Sequence, residues 1–126
     1  MKVAYVDTSC LVAVAFGEPG STTLARRLAG FDELVSSNLL EAELRAAFVR
    51  EARTPDQDLL DCISWIVPDR PLHAEIDAVF AAGYARGADC WHLATALYLA
   101  GNAADIAFLT LDDRQSAVAQ TLGCAA

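Results

Sequence analysis

Four acids stand where the local pattern of the chain changes: Asp7, Glu43, Asp89 and Asp112. Carboxylates are hard oxygen donors, so several of them together can hold Mg²⁺ or Mn²⁺. Without a cation such a gathering is unfavourable, because like charges raise one another's pKa until one or more protonates. Each acid also has an ordinary local reading. Asp7 closes the apolar run Val3-Ala4-Tyr5-Val6 and precedes Thr8-Ser9, so it can cap a polar turn by bonding its own backbone two residues on. Glu43 borders the helical stripe Leu40, Leu44, Ala47 and Phe48. At about 100° per residue it lies within roughly 60° of Leu40; a carboxylate there must find a partner, hold a metal or bend out to water. Asp89 falls at the N-cap or in the first turn of another helix, on the side of Leu93 and Ala96. Asp112 follows a strand and has capping-box spacing to Gln115.

The elements that must position these acids alternate. A strand at residues 3–6 is followed by the apolar segment Leu11–Phe16, a break at Gly17-Glu18-Pro19-Gly20, and a helical pattern over Ser21–Leu28. Leu34-Val35-Ser36 reads as a second strand, and Ser37 or Asn38 as the N-cap of a helix running to about Arg53. Asp56–Trp65 is a further amphipathic segment, followed by a brief strand stub at Ile66-Val67. Pro71 is placed in the first turn of a helix through Ile76, Val79 and Phe80. The next helix starts near Asp89 and stops at Gly101-Asn102; there His92 is expected to support Asp89 or to pack, and His73 to lie on the surface. A strand at Ile106–Thr110, a last helix from Arg114 to Leu122 and a short terminal strand complete the chain. This alternation predicts a single α/β domain over residues 1–126 with a parallel sheet.

Composition narrows the classes. A 126-residue chain that is 55% hydrophobic can bury a core and is not disordered. No apolar run approaches the roughly 18 residues of a membrane span. Asp7 interrupts the segment where a signal peptide would stay apolar, so the expectation is a soluble, cytoplasmic protein. Cys10, Cys62, Cys90 and Cys124 are too scattered for a zinc site or a disulfide framework. A net charge of −8 argues against simple nucleic-acid binding, unless some acids surround cations that reverse the local sign.

Parallel strands deliver Asp7 and Asp112 to one edge of the sheet, and the helices carrying Asp89 and Glu43 begin beside that edge. Four separate local readings do not predict this shared address, whereas the topology does. An ion held there can activate water and stabilise in-line displacement at a phosphodiester. Arginines such as Arg45, Arg50, Arg86 and Arg114 would add to its positive charge.

Val6-Asp7-Thr8-Ser9, Glu43-Leu44-Arg45-Ala46, Arg86-Gly87-Ala88-Asp89-Cys90-Trp91-His92-Leu93-Ala94 and Leu109-Thr110-Leu111-Asp112 follow one another in the order and spacing of a known family. Across essentially its whole length the chain resembles the PIN-domain nucleases, and within them the VapC-like toxins of bacterial toxin–antitoxin pairs. The resemblance implies a three-layer α/β/α sandwich with a central parallel sheet. It implies a Mg²⁺- or Mn²⁺-dependent endoribonuclease acting on RNA, often a structured RNA such as tRNA. It further implies a homodimer held inactive by a cognate antitoxin. By position, Asp7 and Asp89 would be the main metal ligands. Glu43 and Asp112 would complete the site directly or through water, with Thr8, Ser9 or Thr110 orienting the carboxylates. Asp113 beside Asp112 leaves open which acid points inward, although the Thr-x-Asp frame favours Asp112. Cys90-Trp91 replaces a small or aliphatic pair and would reshape the groove rather than the ligands.

Two rivals fail on one absence. A receiver domain and a haloacid-dehalogenase-like phosphatase both need a lysine beside the phosphorylated aspartate, and the sole lysine is Lys2. A PIN-like fold kept as an RNA- or protein-binding module, without turnover, stays as the alternative of a different class.

Overall fold

The computed structural model describes residues 1–125. Strand β1 (Val3–Val6) is central, and the β-branched and aromatic residues around it favour extended backbone. It is followed by helices α1 (Thr8–Ala15) and α2 (Ser21–Ala29), then strand β2 (Glu33–Ser37) and helix α3 (Asn38–Arg50). Next come α4 (Gln57–Asp61), β3 (Ile63–Ile66), α5 (His73–Ala82) and α6 (Gly87–Ala100). A 3₁₀ turn at Ala103–Asp105, strand β4 (Ala107–Leu109) and helix α7 (Asp113–Leu122) end the fold. The four strands are parallel, in the order β3-β2-β1-β4.

Because side chains alternate across a strand, the sheet feeds two cores. Tyr5, Val35 and Phe108 face one layer, with Val79 of α5, Leu93 of α6 and Val118 of α7. The Tyr5 and Phe108 rings stack with centroids 5.2 Å apart. Ala4, Val6, Ala107 and Leu109 face the other layer, with Leu11 of α1, Leu28 of α2 and Leu40, Leu44 and Phe48 of α3. The architecture is therefore an α/β/α sandwich with a PIN-like arrangement of elements.

The strand order places the functional edge. From β1 the chain moves outward through β2 to β3, then returns to lay β4 on the other side of β1. Where connections diverge in this way, the carboxyl ends of neighbouring strands open a crevice. Here that crevice lies beyond Val6 and Leu109, and the Asp7 N–H donates to the Leu109 carbonyl at 2.9 Å to hold its two sides together.

Several boundaries differ from those predicted. The segment Asp56–Trp65 is divided: Asp56 caps the short α4, and β3 starts at Ile63 rather than at Ile66. Pairing with β2 decides this, since Leu34 to Ser37 supply a partner for each residue of Ile63–Ile66. Helix α3 takes Ser37 as N-cap and ends at Arg50, short of Arg53, where the chain turns through Ala52 at φ +53°. Pro71 lies before α5 rather than in its first turn. The expected terminal strand is reduced, among the described residues, to one bridge between Ala107 and Ala125. Among those residues, no helix is long and apolar enough to cross a membrane.

Candidate active site

Asp7 is buried and has two jobs, one for each oxygen. Its Oδ2 caps α1, accepting from the Ser9 backbone N–H at 3.3 Å and from the Ser9 hydroxyl at 2.8 Å. The polar-turn reading of Asp7 is thus realised by half of its carboxylate. The other oxygen, Oδ1, lies 3.5 Å from Gln115 Nε2 and 3.9 Å from His92 Nε2. Ser9 Oγ is itself fixed by the Leu111 N–H at 3.0 Å, which ties the start of α1 to the end of β4.

Thr110 binds the same corner from the other strand. Its hydroxyl lies 2.7 Å from Gln115 Oε1 and 3.2 Å from Asp7 Oδ2, and it accepts from the Asp112 N–H at 3.1 Å. A hydroxyl has one proton to give, and the shorter contact assigns it to Gln115. The expected capping box is half formed: Asp112 Oδ1 accepts from the Gln115 N–H at 2.9 Å, but the Gln115 side chain turns inward instead of back. There it bridges Thr110, Asp7 and, at 3.4 Å, the Asp89 carbonyl. Gln115 is 1% exposed and is a site residue that the capping-box reading did not reveal.

Glu43 is reached by donors from two other elements. Its Oε1 accepts from Thr8 Oγ1 at 2.9 Å and from His92 Nε2 at 2.8 Å. These hydrogen bonds, led by that from His92, hold the Glu43 carboxyl below the ordinary glutamate range. His92 packs in the core, as one of its two expected roles had it, with its ring edge-on to Tyr5. Its hydrogen bond goes to Glu43, and Asp89 feels it only through charge, which works against the rise in the Asp89 pKa. The other ring nitrogen of His92, Nδ1, lies 2.6 Å from the Tyr5 hydroxyl, which also accepts from the Ser37 N–H at 3.1 Å. An ionised Glu43 can only accept, so Nε2 carries the hydrogen and the bare Nδ1 of the neutral ring accepts from the Tyr5 hydroxyl, whose proton burial makes hard to remove. That hydrogen on Nε2 faces Glu43.

Asp89 differs from these two. It lies in the first turn of α6, whose N-cap position is Arg86, and its carboxyl receives no hydrogen bond from the described residues. Desolvation and the negative charges of Asp7, Asp112 and Glu43 raise its pKa. Asp112 contributes to that repulsion, and its neighbour Asp113 lines the same cleft. Both line an open cleft of about 370 Å³ with Asp89, Ala85, Arg86, Arg114 and Gln115. Asp7 and Glu43 are not in its walls. Of the four arginines singled out from sequence, Arg86 and Arg114 flank this cleft, whereas Arg45 pairs with Glu41 at 2.7 Å and Arg50 with Glu51 at 3.4 Å. Trp91 is not in the walls of this cleft: its indole N–H donates to Ser37 Oγ at 3.1 Å and pins α6 to the start of α3.

The four acids thus share one electrostatic neighbourhood, but among the described residues no three His, Cys, Asp or Glu side chains converge as a ready metal cage. This donor set suits a hard divalent ion that keeps several waters and needs only one or two carboxylates. Asp89, Glu43 and Asp112 each have an oxygen that takes no hydrogen bond from the described residues, and Asp7 Oδ1 has only the 3.5 Å contact from Gln115. No curated protein and no solved structure matches the chain significantly. The PIN domain family profile does match, over residues 4–120, from the strand that leads into Asp7 to the helix that holds Gln115. The chain belongs to the PIN domain family.

Proposed function

We propose that this chain is an endoribonuclease dependent on Mg²⁺ or Mn²⁺ and the toxin of a toxin–antitoxin pair. PIN domains are generally metal-dependent nucleases. The observation that carries the reading is Asp89: a half-buried carboxyl without a hydrogen-bond donor, facing three other acids across a cleft flanked by two arginines. A protein gains nothing in stability from such an arrangement, whereas a cation bound there removes the repulsion.

Asp7 and Asp89 would hold the ion, with Glu43 and Asp112 completing its surroundings directly or through water. A divalent ion in such a site supplies a nucleophilic water at neutral pH and stabilises charge on the phosphate. The chain's own residues orient the participants. Ser9 and Gln115, the latter held by Thr110, fix the Asp7 carboxylate, while Thr8 and His92 fix that of Glu43. Arg86 and Arg114 give phosphates a local positive contact on a chain whose net charge is −8. RNA, including tRNA, is the proposed substrate, and a cognate antitoxin and a second copy of the chain are the proposed partners. The toxin role rests on the likeness of the four acid-bearing segments to VapC-like proteins.

Purified protein incubated with total bacterial RNA and Mg²⁺ or Mn²⁺ tests the activity, with EDTA and Asp89→Ala as controls. Discrete cuts that need both metal and Asp89 are expected. Growth arrest on expression, absent for Asp89→Ala, is the expected sign of a toxin. That no three His, Cys, Asp or Glu side chains converge among the described residues favours a second reading, a binding module without turnover. Folded protein that binds RNA but neither Mn²⁺ nor cleaves would establish that reading instead.

A further inference from the structure

The hydrogen bonds that end on Glu43 run in one direction. The Ser37 N–H donates to the Tyr5 oxygen at 3.1 Å, Tyr5 to His92 Nδ1 at 2.6 Å, and His92 Nε2 to Glu43 Oε1 at 2.8 Å. Thr8 closes the series from the far side, donating to the same Oε1 at 2.9 Å. Every link joins a different pair of elements, from the N-cap of α3 through β1 and α6 back to α3 and α1. Tyr5 and His92 are 0% and 1% exposed, so water does not compete for these bonds. A buried tyrosine and a buried histidine are expensive ways to fill a core that Phe and Leu would fill as well. Their polar atoms have partners that converge on a single carboxylate oxygen.

We propose that Tyr5 and His92 are positioning residues that act through Glu43, and that Tyr5 does so by selecting the histidine tautomer. With Tyr5 donating to Nδ1, only Nε2 carries hydrogen, and the ring can do nothing but donate to Glu43. Without the phenol hydroxyl, the hydrogen is free to move to Nδ1, and a bare Nε2 would then face the carboxylate. Oε1 is thereby claimed by Thr8 and His92, and Oε2, which takes no hydrogen bond among the described residues, is left for the ion or its water. Thr8, Tyr5 and His92 would thus fix which oxygen of Glu43 is available, as hydrogen-bonded supports do in known metal sites. The role in ion binding rests on the metal-dependent reading above; the tautomer does not.

Two measurements separate these levels. Imidazole ¹⁵N NMR of the metal-free protein reads the tautomer directly: hydrogen on Nε2 is expected in the wild type and a mixture in Tyr5→Phe. A wild-type ring carrying hydrogen on Nδ1, or one unaltered in Tyr5→Phe, would overturn the relay whatever the protein's activity. Mn²⁺ titration by electron paramagnetic resonance then reads the consequence. Tyr5→Phe and His92→Asn are expected to weaken Mn²⁺ about tenfold or more, as loss of a supporting partner does. His92→Gln, whose amide nitrogen falls near Nε2 and still donates to Glu43, should restore most of that affinity. In a Glu43→Gln background, Tyr5→Phe should add little, since its route is gone. Equal losses for His92→Gln and His92→Asn, or a full additional loss in Glu43→Gln, would show a general packing role and sink the proposal. Wild-type protein that keeps the Nε2 tautomer but binds no Mn²⁺ would overturn the metal reading, and with it this function of the relay.

Discussion

Asp7 and Glu43 occupy one side of the candidate site, and Asp89 and Asp112 the other. On the first side, hydroxyls, an imidazole, a side-chain amide and a backbone amide donate to the carboxylates, from α1, α6 and α7. On the second, Asp112 has a cap to make, and Asp89 takes no hydrogen bond from the described residues and faces like charges that outweigh the pull of His92. The Glu43 carboxyl is therefore held ionised, and that of Asp89 is pushed toward protonation. The difference teaches how the site divides its labour: one side is preorganised whether or not an ion is present, and the other is completed by the ion.

Breaking either side should abolish activity, and this is the largest expected effect. Asp89→Asn and Asp7→Asn are each expected to lower RNA cleavage by more than about 100-fold, beyond the usual loss from a supporting group. Asparagine still caps a helix, so Asp7→Asn should stay folded by circular dichroism. Cleavage within tenfold of wild type in either variant would remove that acid from the site.

Stability should separate the two sides by sign. Asp89 has a raised pKa, so the metal-free folded state binds its proton more tightly than the unfolded chain does. Its contribution is present below the ordinary aspartate value and is lost as pH rises through the raised one. Glu43 has a lowered pKa, so its contribution is present above the ordinary glutamate value and is lost as pH falls through the folded one. At neutral pH without metal, Asp89→Asn should therefore raise the melting temperature by a few degrees. Glu43→Gln should lower stability by about 1 kcal/mol, the scale of one hydrogen bond. Adding Mn²⁺ should reverse the order, because the wild type gains about 2.7 kcal/mol at a hundred times Kd and Asp89→Asn does not. Melting curves of both variants across acidic to neutral pH, with and without Mn²⁺, check all three outcomes.

A smaller effect should follow at the corner of β4. Thr110→Val removes the donor to Gln115 and the acceptor for the Asp112 N–H while keeping the side chain's shape. A loss of about 1–2 kcal/mol is expected in denaturant unfolding, with cleavage reduced about tenfold. The smallest effect belongs to Asp113. It lines the cleft beside Asp112, which the Thr-x-Asp frame favours as the inward acid, so Asp113→Asn should leave cleavage within about twofold, the range of an ordinary surface substitution. A large loss there, with Asp112→Asn nearly silent, would exchange the roles of the two neighbours.

Much of this was legible in the sequence, and for reasons that can be named. Period-2 and period-3.6 patterns depend on which face a residue buries, so Val3–Val6, Ser21–Leu28 and the helix through Leu93 and Ala96 stood out locally. Asp7, Asp89 and Asp112 follow or open such elements, and a parallel sheet gathers those points at one edge. Ile63 and Trp65 did not stand out, because Leu59, Leu60 and Ile63 also satisfy a helical spacing. Only the neighbouring strand decides between the two at that place.

The sequence by itself determined the alternation of elements, the parallel sheet and the acids at its carboxyl edge, since all of these follow from short-range pattern and chain connectivity. Tertiary structure alone decided what each acid became. Asp7 meets Thr110 across 103 residues, and Glu43 meets His92 across 49. Contacts at such separations are set by how α1, α3, α6 and β4 pack on the sheet. No local pattern encodes whether a carboxylate will find a donor there or face another carboxylate.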